Sequence, residues 1–291
     1  KDCYNCYRIY IKENEWILKK DNNSFLIDIE NFTIDGFKDL KLDCIFNAIH
    51  GTPGEDGKIQ KYFNDKNIPI TGCNSYQSEL TFDKIACLNF LSSKGIKVAS
   101  SISLLKSEKI DINEIENKIG FPCFIKASNS GSSFGVYKVY DKKEMARCIN
   151  SAFEVDNKVL IESFIDGREF SIGVISLNGI TNVLPITEII TSNDFFDYEA
   201  KYEGKAQEIT PADIADELES ELRLLSEKIY NLLKLKGFSR SEFIVNDNGI
   251  YYLETNTVPG LTSESILPQQ ARCADISLKE LFVNAINEAI I

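Results

Sequence analysis

Tyr251-Tyr-Leu-Glu-Thr-Asn-Thr-Val-Pro-Gly-Leu-Thr-Ser-Glu-Ser265 is the stretch around which the chain is organised. Tyr251, Tyr252 and Leu253 form a short β-like run, and a carboxylate (Glu254) and a carboxamide (Asn256) follow two residues apart. Side chains at i and i+2 of a strand point to the same face, so these oxygens can converge on one hard cation. Upstream, Arg240-Ser241-Glu242 repeats the alternation and adds a carboxylate. Asp247-Asn248-Gly249 between the two runs is a hairpin signal, and folding there brings Glu242 alongside Glu254 and Asn256. Two carboxylates and an amide suit Mg²⁺, which takes few protein ligands and keeps positions for phosphate oxygens. A lone Glu-x-Asn triplet is more often a solvated strand edge; Arg240, Glu242 and the Pro259-Gly260 turn beside it bring the metal reading level with that one.

Bulk properties narrow the classes. At 291 residues, 43% hydrophobic and 26% charged, the chain has the composition of an ordinary globular protein and room for two or three units. Its formal net charge of −12 argues against a nucleic-acid surface but leaves room for an anion in a local basic pocket. No apolar run approaches the ~20 residues that span a bilayer, and no signal-peptide pattern is present, so the expectation is a cytoplasmic protein without a membrane partner. The eight cysteines sit mostly in apolar segments and read as reduced, small hydrophobes. Cys3-x-x-Cys6 lacks a second Cys/His pair, and His50 is the single histidine, which leaves a zinc site without ligands.

Taken in order, Tyr4–Ile11 alternates like a strand and 44–49 is a short buried one. The loop His50-Gly-Thr-Pro-Gly-Glu-Asp-Gly57 then opens a helix through about Lys66, and 68–72 returns as a strand and turn. This β-loop-α-β order predicts a small parallel α/β domain. A helix over 81–94 follows, with Thr81 as N-cap and Lys84 near its start. Spacing alone makes Lys84 a solvated helix lysine.

Strands are expected at 98–104, 121–126, 136–140, 159–164, 169–177 and 180–190, with helices at 111–119 and 142–154. Lys126 ends one strand, and the loop Ala127-Ser-Asn-Ser-Gly-Ser-Ser-Phe-Gly135 after it can bring backbone N–H groups close to phosphates. The lysine supplies a point charge there. Glu162 and Glu169 are either solvent-facing strand acids or acceptors for an adenine amine and ribose hydroxyls. Residues 192–208 form a long polar, aromatic loop of the kind that acts as a lid, with Lys201-Tyr202 at its centre. Residues 213–236 are the clearest helix, stopped by Gly237, and 278–291 is a last one.

Five stretches in this order, HGTPGEDGKIQ (50–60), FIKASNSGSSFGV (124–136), YEAKY (198–202), RSEF (240–243) and LETNTVPGLTSESILP (253–268), resemble the D-alanine–D-alanine ligases of the ATP-grasp superfamily. The resemblance covers nearly the whole chain. It implies an α/β, ATP-grasp fold of three α/β subdomains: 1–72 for substrate, 73–162 as the central lid, and 163–291 with the Mg²⁺ and D-alanine sites. ATP would lie between the last two. It also implies ligation of two D-alanines through a D-alanyl phosphate for peptidoglycan precursors, in a homodimer.

Carried over residue by residue, Glu242, Glu254 and Asn256 resemble the ligands of two Mg²⁺ ions, for which Mn²⁺ can substitute. Lys84 and Lys126 resemble the phosphate-binding lysines, with Ser132 and Ser133 in the glycine-rich lid. Glu162 meets adenine, Phe164 and Ile165 line its slot, and Glu169 takes the ribose. Arg240 and the Gly260 N–H resemble the groups that stabilise the tetrahedral intermediate. Ser265 and Ile266 match the second D-alanine's site, and His50 and Glu55 that of the first. Lys201 and Tyr202 fall on the closing loop, where a tyrosine accompanies D-Ala-D-Ala formation. Alternatives are a D-Ala-D-Ser or D-Ala-D-lactate ligase, or a nucleotide-binding protein without ligase activity. Two departures stand out: Glu242 replaces a frequent Asp, and no match precedes Tyr4 for the family's opening strand and glutamate-bearing glycine-rich turn.

Overall fold

Asp21 and Asn22 both adopt left-handed backbone, φ 47° and 64°, which a two-residue hairpin turn requires and these two residue types tolerate. They reverse the chain between β2 (Glu15–Lys20) and β3 (Asn23–Asp28). With β1 (Arg8–Lys12) and β4 (Thr33–Ile34) these strands form an antiparallel meander in sequence order. The computed structural model describes residues 4–12, 15–37, 40–131, 133–191 and 206–291. It groups the chain into two units, 1–43 with the meander and 44–291 with everything else.

The parallel α/β expectation is therefore corrected for residues 1–43, because tight turns join neighbours antiparallel. In the second unit the expected β-loop-α-β order contracts to one parallel bridge, Ile45 to Ile70, around α1 (Lys58–Asp65). The helix expected over 81–94 is in fact two, α2 (Ser75–Phe82) and α3 (Lys84–Ser93). Asn74, not Thr81, caps the first through a capping box with Gln77, and Thr81 is buried within it. Asp83 is extended (ψ 98°), ends α2, and caps α3 by accepting from the Ala86 N–H.

A four-stranded antiparallel sheet follows, ordered β5 (Ser101–Leu105), β8 (Lys158–Ser163), β6 (Cys123–Ala127), β7 (Val136–Val139). Helices α4 (Ile112–Ile119) and α5 (Lys142–Phe153) cover it through Ile115, Met145, Ile149 and Phe153.

The larger sheet runs β12 (Ala206–Ile209), β11 (Thr187–Thr191), β9 (Arg168–Leu177), β13 (Phe238–Asn246), β14 (Gly249–Asn256), with β10 (Ile180–Val183) also paired to β9. The single strand expected over 180–190 is split into β10 and β11 around Pro185, which has no N–H for a ladder. Helix α6 (Asp216–Leu232) packs Leu222 and Ile229 with Phe170, Ile172 and Phe243 of this sheet, as its apolar stripe predicts. Helices α7 (Ile266–Cys273) and α8 (Leu278–Ile290) bury Leu267, Ala271 and Leu281 with Ile175 and Phe238. α7 is short and contains Pro268, so its periodicity does not announce a helix. Cys6, Cys73, Cys87, Cys123, Cys148 and Cys273 are free thiols. No helix among the described residues is long and apolar enough to cross a membrane.

Candidate active site

The hairpin read from sequence forms as expected, with β13 and β14 joined by Asp247-Asn248 and β14 opening at Gly249, whose φ is 117°. Glu242 pairs with Glu254 and Arg240 with Asn256, so all four share one face. A bulge places Leu253 opposite no partner and returns Tyr252 to the other face, opposite Phe243. Arg240 Nη1 lies 3.0 Å from Glu242 Oε1 and donates to Ser171 Oγ at 3.2 Å. Glu242 is 5% exposed, and its Oε1 accepts no hydrogen bond despite that ion pair.

The hidden face is tied by hydroxyls. Ser241 Oγ and Thr255 Oγ1 are 2.7 Å apart, and Tyr252 OH donates to Thr255 Oγ1 at 3.0 Å. The same phenol lies 3.3 Å from Cys87 Sγ on α3. Burial pushes the Cys87 thiol up to about 11 and the Tyr252 phenol well above its ordinary value, so both stay neutral.

Lys126 on β6 reaches Glu162 Oε2 on β8 at 2.7 Å. Burial works to lower the ammonium's pKa, but Glu162, with Glu254 and Glu169, outweighs it and leaves the value raised. Lys84, the first residue of α3, donates to the Ser130 carbonyl at 2.5 Å and lies 3.8 Å from Glu254 Oε2. The Phe124 and Phe164 rings are 6.1 Å apart, with Lys138 Nζ 4.0 Å from the Phe164 centroid. A cavity of about 550 Å³ opens between the two sheets. Lys84, Lys126, Ser133, Glu162, Phe164, Ile165, Glu169, Glu242 and Glu254 all line it.

A second cavity, about 420 Å³, adjoins the first and is lined by His50, Glu55, Arg240, Asn256, Gly260 and Ser265. Lys84, Ser130, Gly131 and Glu254 border both. His50 Nδ1 is 3.6 Å from Glu55 Oε1, and this neighbour raises the imidazole pKa against the effect of burial. Glu55 in turn accepts from the Gly51 N–H at 2.9 Å. A Cβ on Gly260 would fall 2.6 Å from Ser265 Oγ, so a side chain there collides with the start of α7. Ile266 is buried in the first turn of α7 and is not among the residues lining either cavity. Ser132, Lys201 and Tyr202 lie outside the described residues.

Two acids escaped the sequence reading. Glu188 on β11 lines the larger cavity and accepts a two-pronged bond from Arg168, at 2.7 and 2.8 Å. Glu208 on β12 takes a bond from Gln269 Nε2 at 2.9 Å, and burial raises its pKa. The alternation of Thr187-Glu188-Ile189 within an apolar strand was the available signal for Glu188.

The donor set suits a hard divalent cation. Among the described residues no three His, Cys, Asp or Glu gather as a metal cluster, so two carboxylates and an amide are what the site offers. The buried, undonated Glu242 oxygen is the kind of group a cation satisfies. Asn256 Oδ1 accepts from the Val258 N–H at 2.8 Å, which orients the amide and leaves a lone pair.

With nucleotide-sized space between two antiparallel sheets, lined by lysines and an acidic hairpin, the fold is that of an ATP-grasp enzyme. Residues 90–287 match the family model described as D-ala D-ala ligase C-terminus. A D-alanine–D-alanine ligase of Flavobacterium johnsoniae is 52% identical over 289 residues, covering 98% of this chain and 89% of the relative. That of Christiangramia forsetii is 47% identical over 291 residues, covering 99% and 89%. Among solved structures, the VanG D-Ala:D-Ser ligase from Enterococcus faecalis has a TM-score of 0.82 at 30% identity, covering 95% of this chain and 87% of that one. The D-alanine–D-alanine ligase from Bacillus anthracis complexed with ATP has a TM-score of 0.74 at 31% identity, covering 86% and 79%. The chain belongs to the D-alanine–D-alanine ligase family.

Proposed function

We propose that this protein joins two D-alanines into D-alanyl-D-alanine, with ATP converted to ADP and phosphate, to supply peptidoglycan precursors. The observation that supports this most is the shared wall: Lys84, Ser130, Gly131 and Glu254 border both cavities, so a γ-phosphate and a carboxylate can meet there. Nucleotide occupies the larger space, with Phe164 and Ile165 against adenine, Glu162 near its amine and Glu169 at the ribose. D-alanine occupies the smaller one, oriented by His50 and Glu55. Glu242, Glu254 and Asn256 would hold Mg²⁺, two ions replaceable by Mn²⁺, whose charge neutralises phosphate oxygens.

The carboxylate of the first D-alanine attacks the γ-phosphorus and ADP leaves, giving an acyl phosphate. The amine of the second, having lost a proton, attacks the acyl carbon and phosphate departs. Such transfers depend mainly on positioning and charge. Lys84 and Lys126 supply cationic charge to the phosphates, and Arg240 with the Gly260 N–H faces the developing oxyanion. Ser265 and Ile266 hold the second D-alanine. Ser132 and Ser133 belong to the glycine-rich lid, and Lys201 and Tyr202 to the closing loop. The division 1–72, 73–162 and 163–291, a cytoplasmic location and a homodimer complete the reading.

The test is phosphate release from ATP and Mg²⁺, with and without D-alanine, using D-serine and D-lactate as competing acceptors. D-alanine-dependent release with D-alanyl-D-alanine as product is expected. Nucleotide binding without such release would sink the ligase reading, and a D-serine or D-lactate product would reassign the acceptor.

A further inference from the structure

Asp83 does more than cap a helix. Its Oδ1 accepts from the Ala86 N–H at 3.1 Å and from Ser128 Oγ at 2.7 Å, while Oδ2 lies 2.8 Å from Lys158 Nζ. Asp83 is 8% exposed and Ser128 fully buried. The serine is gripped three further times: its hydroxyl accepts from the Ile85 N–H (3.2 Å), its carbonyl from the Lys84 N–H (3.2 Å), and its own N–H donates to the Lys158 carbonyl (3.0 Å).

The next two residues are held as well. Asn129 bridges to Asp83, and its backbone and side-chain N–H groups both donate to Asp156 Oδ2 at 2.8 Å. The Ser130 carbonyl receives Lys84 Nζ. The first arm of the Gly/Ser hairpin is thus pinned through Ser130, immediately before Gly131.

These bonds tie three separate pieces into one: the N-terminus of α3, strand β8 and the hairpin arm. Two of them carry Lys84, Ser130 and Gly131, which form the shared wall of the two cavities. Burial disfavours the charge on Asp83, yet Lys158, Ser128 and the Ala86 N–H offset it and keep the carboxyl below its ordinary value. We propose that Asp83, Ser128 and Lys158 form a clamp that sets where Lys84 and the base of the Gly/Ser hairpin stand relative to each other. They are positioning residues, and none of the three lines either cavity.

The proposal rests on the ligase reading for its kinetic consequence but not for its structural one. Lys158 lies outside both cavity linings and is about half exposed, so Lys158→Met removes the ion pair without emptying a core. Asp83→Asn keeps an acceptor for the Ala86 N–H, since Asn caps as well as Asp. The experiment measures KM for ATP, kcat, melting temperature, ATP-analogue affinity and hydrogen exchange at 128–131 for both variants and the double variant.

A clamp predicts about a tenfold rise in KM for ATP, kcat within about threefold, and faster exchange at 128–131 at a nearly unchanged melting temperature. In the double variant the losses should fall short of additive, because one interaction has been removed twice. Folded variants with unaltered exchange and ATP-analogue affinity would overturn the clamp, and so would losses that only follow the melting temperature. Should the wild type show no D-alanine-dependent release, the ligase reading falls. The analogue affinity of the same variants then decides the clamp, tenfold weaker binding supporting it and unchanged binding overturning it.

Discussion

Two hairpins face each other across the larger cavity, and they are built differently. β13–β14 turns through the two residues Asp247-Asn248, pairs along β9, and is tied from behind by Ser241, Thr255, Tyr252 and Cys87. Val98 adds a bridge to Tyr252 on its outer side. β6–β7 lies at the edge of the smaller sheet, and its turn spans 128–135, rich in Gly and Ser. Its first arm is held by Asp83, Asp156 and Lys158, residues distant in sequence. The first hairpin has its geometry set by its own turn and bulge, and holds Glu242 opposite Glu254. The second hairpin's position is set from outside.

The sharpest way to break this comparison is at the acidic hairpin's working face. Glu254→Gln removes one of two paired carboxylates and also the charge facing Lys84. Turnover should fall by at least about 10²-fold with the melting temperature nearly kept, since catalytic electrostatics exceed one exposed ion pair in weight. Near-normal Mg²⁺-dependent phosphate release would remove Glu254 from the metal site.

Lys126→Met tests the opposite hairpin. ATP-analogue affinity should drop by roughly 10–100-fold, the value of one or two charge-assisted bonds. The variant also strands buried Glu162 and should melt lower; adding Glu162→Gln should restore the melting temperature without restoring affinity. Calorimetric titration that finds affinity unchanged in Lys126→Met would exclude contact with phosphate.

The smallest effect is expected behind the acidic hairpin. Tyr252→Phe deletes one hydroxyl that donates to Thr255 and touches Cys87. Stability should fall by about 1 kcal/mol in urea denaturation, with a modest rise in the Mg²⁺ concentration giving half activity. If urea midpoint and metal dependence both match the wild type, the hidden network has no part in holding the ligands.

Legibility followed sequence distance. Asp247-Asn248-Gly249 with flanking alternation was enough to announce the hairpin, but its two-residue turn alone would set Leu253 opposite Glu242, and the bulge after Glu242 is what brings Glu254 there. The stripe Leu218, Leu222, Leu225, Ile229 marked α6 and its buried side. By contrast, the break at Asp83 was invisible: Thr81 looked like a cap, and only the remote Ser128 and Lys158 make Asp83 the better one. The meander at 1–43 hid behind mixed, half-polar strands whose Asp21-Asn22 turn lacks glycine.

By itself the sequence determined which residue types meet at short range: the acidic hairpin, the lysine before a Gly/Ser-rich loop, the long amphipathic helix, and the family these motifs resemble. Local periodicity and turn chemistry suffice for such features, because the partners are only a few residues apart. Only the tertiary structure decided that His50 and Glu55 open onto the same cavity as Arg240 and Gly260, and that Lys84 stands at the wall between two spaces. It also decided that Ile266 is buried at the start of α7. Those placements depend on how two sheets and α3 pack, and packing is settled by the summed burial of residues far apart in the chain.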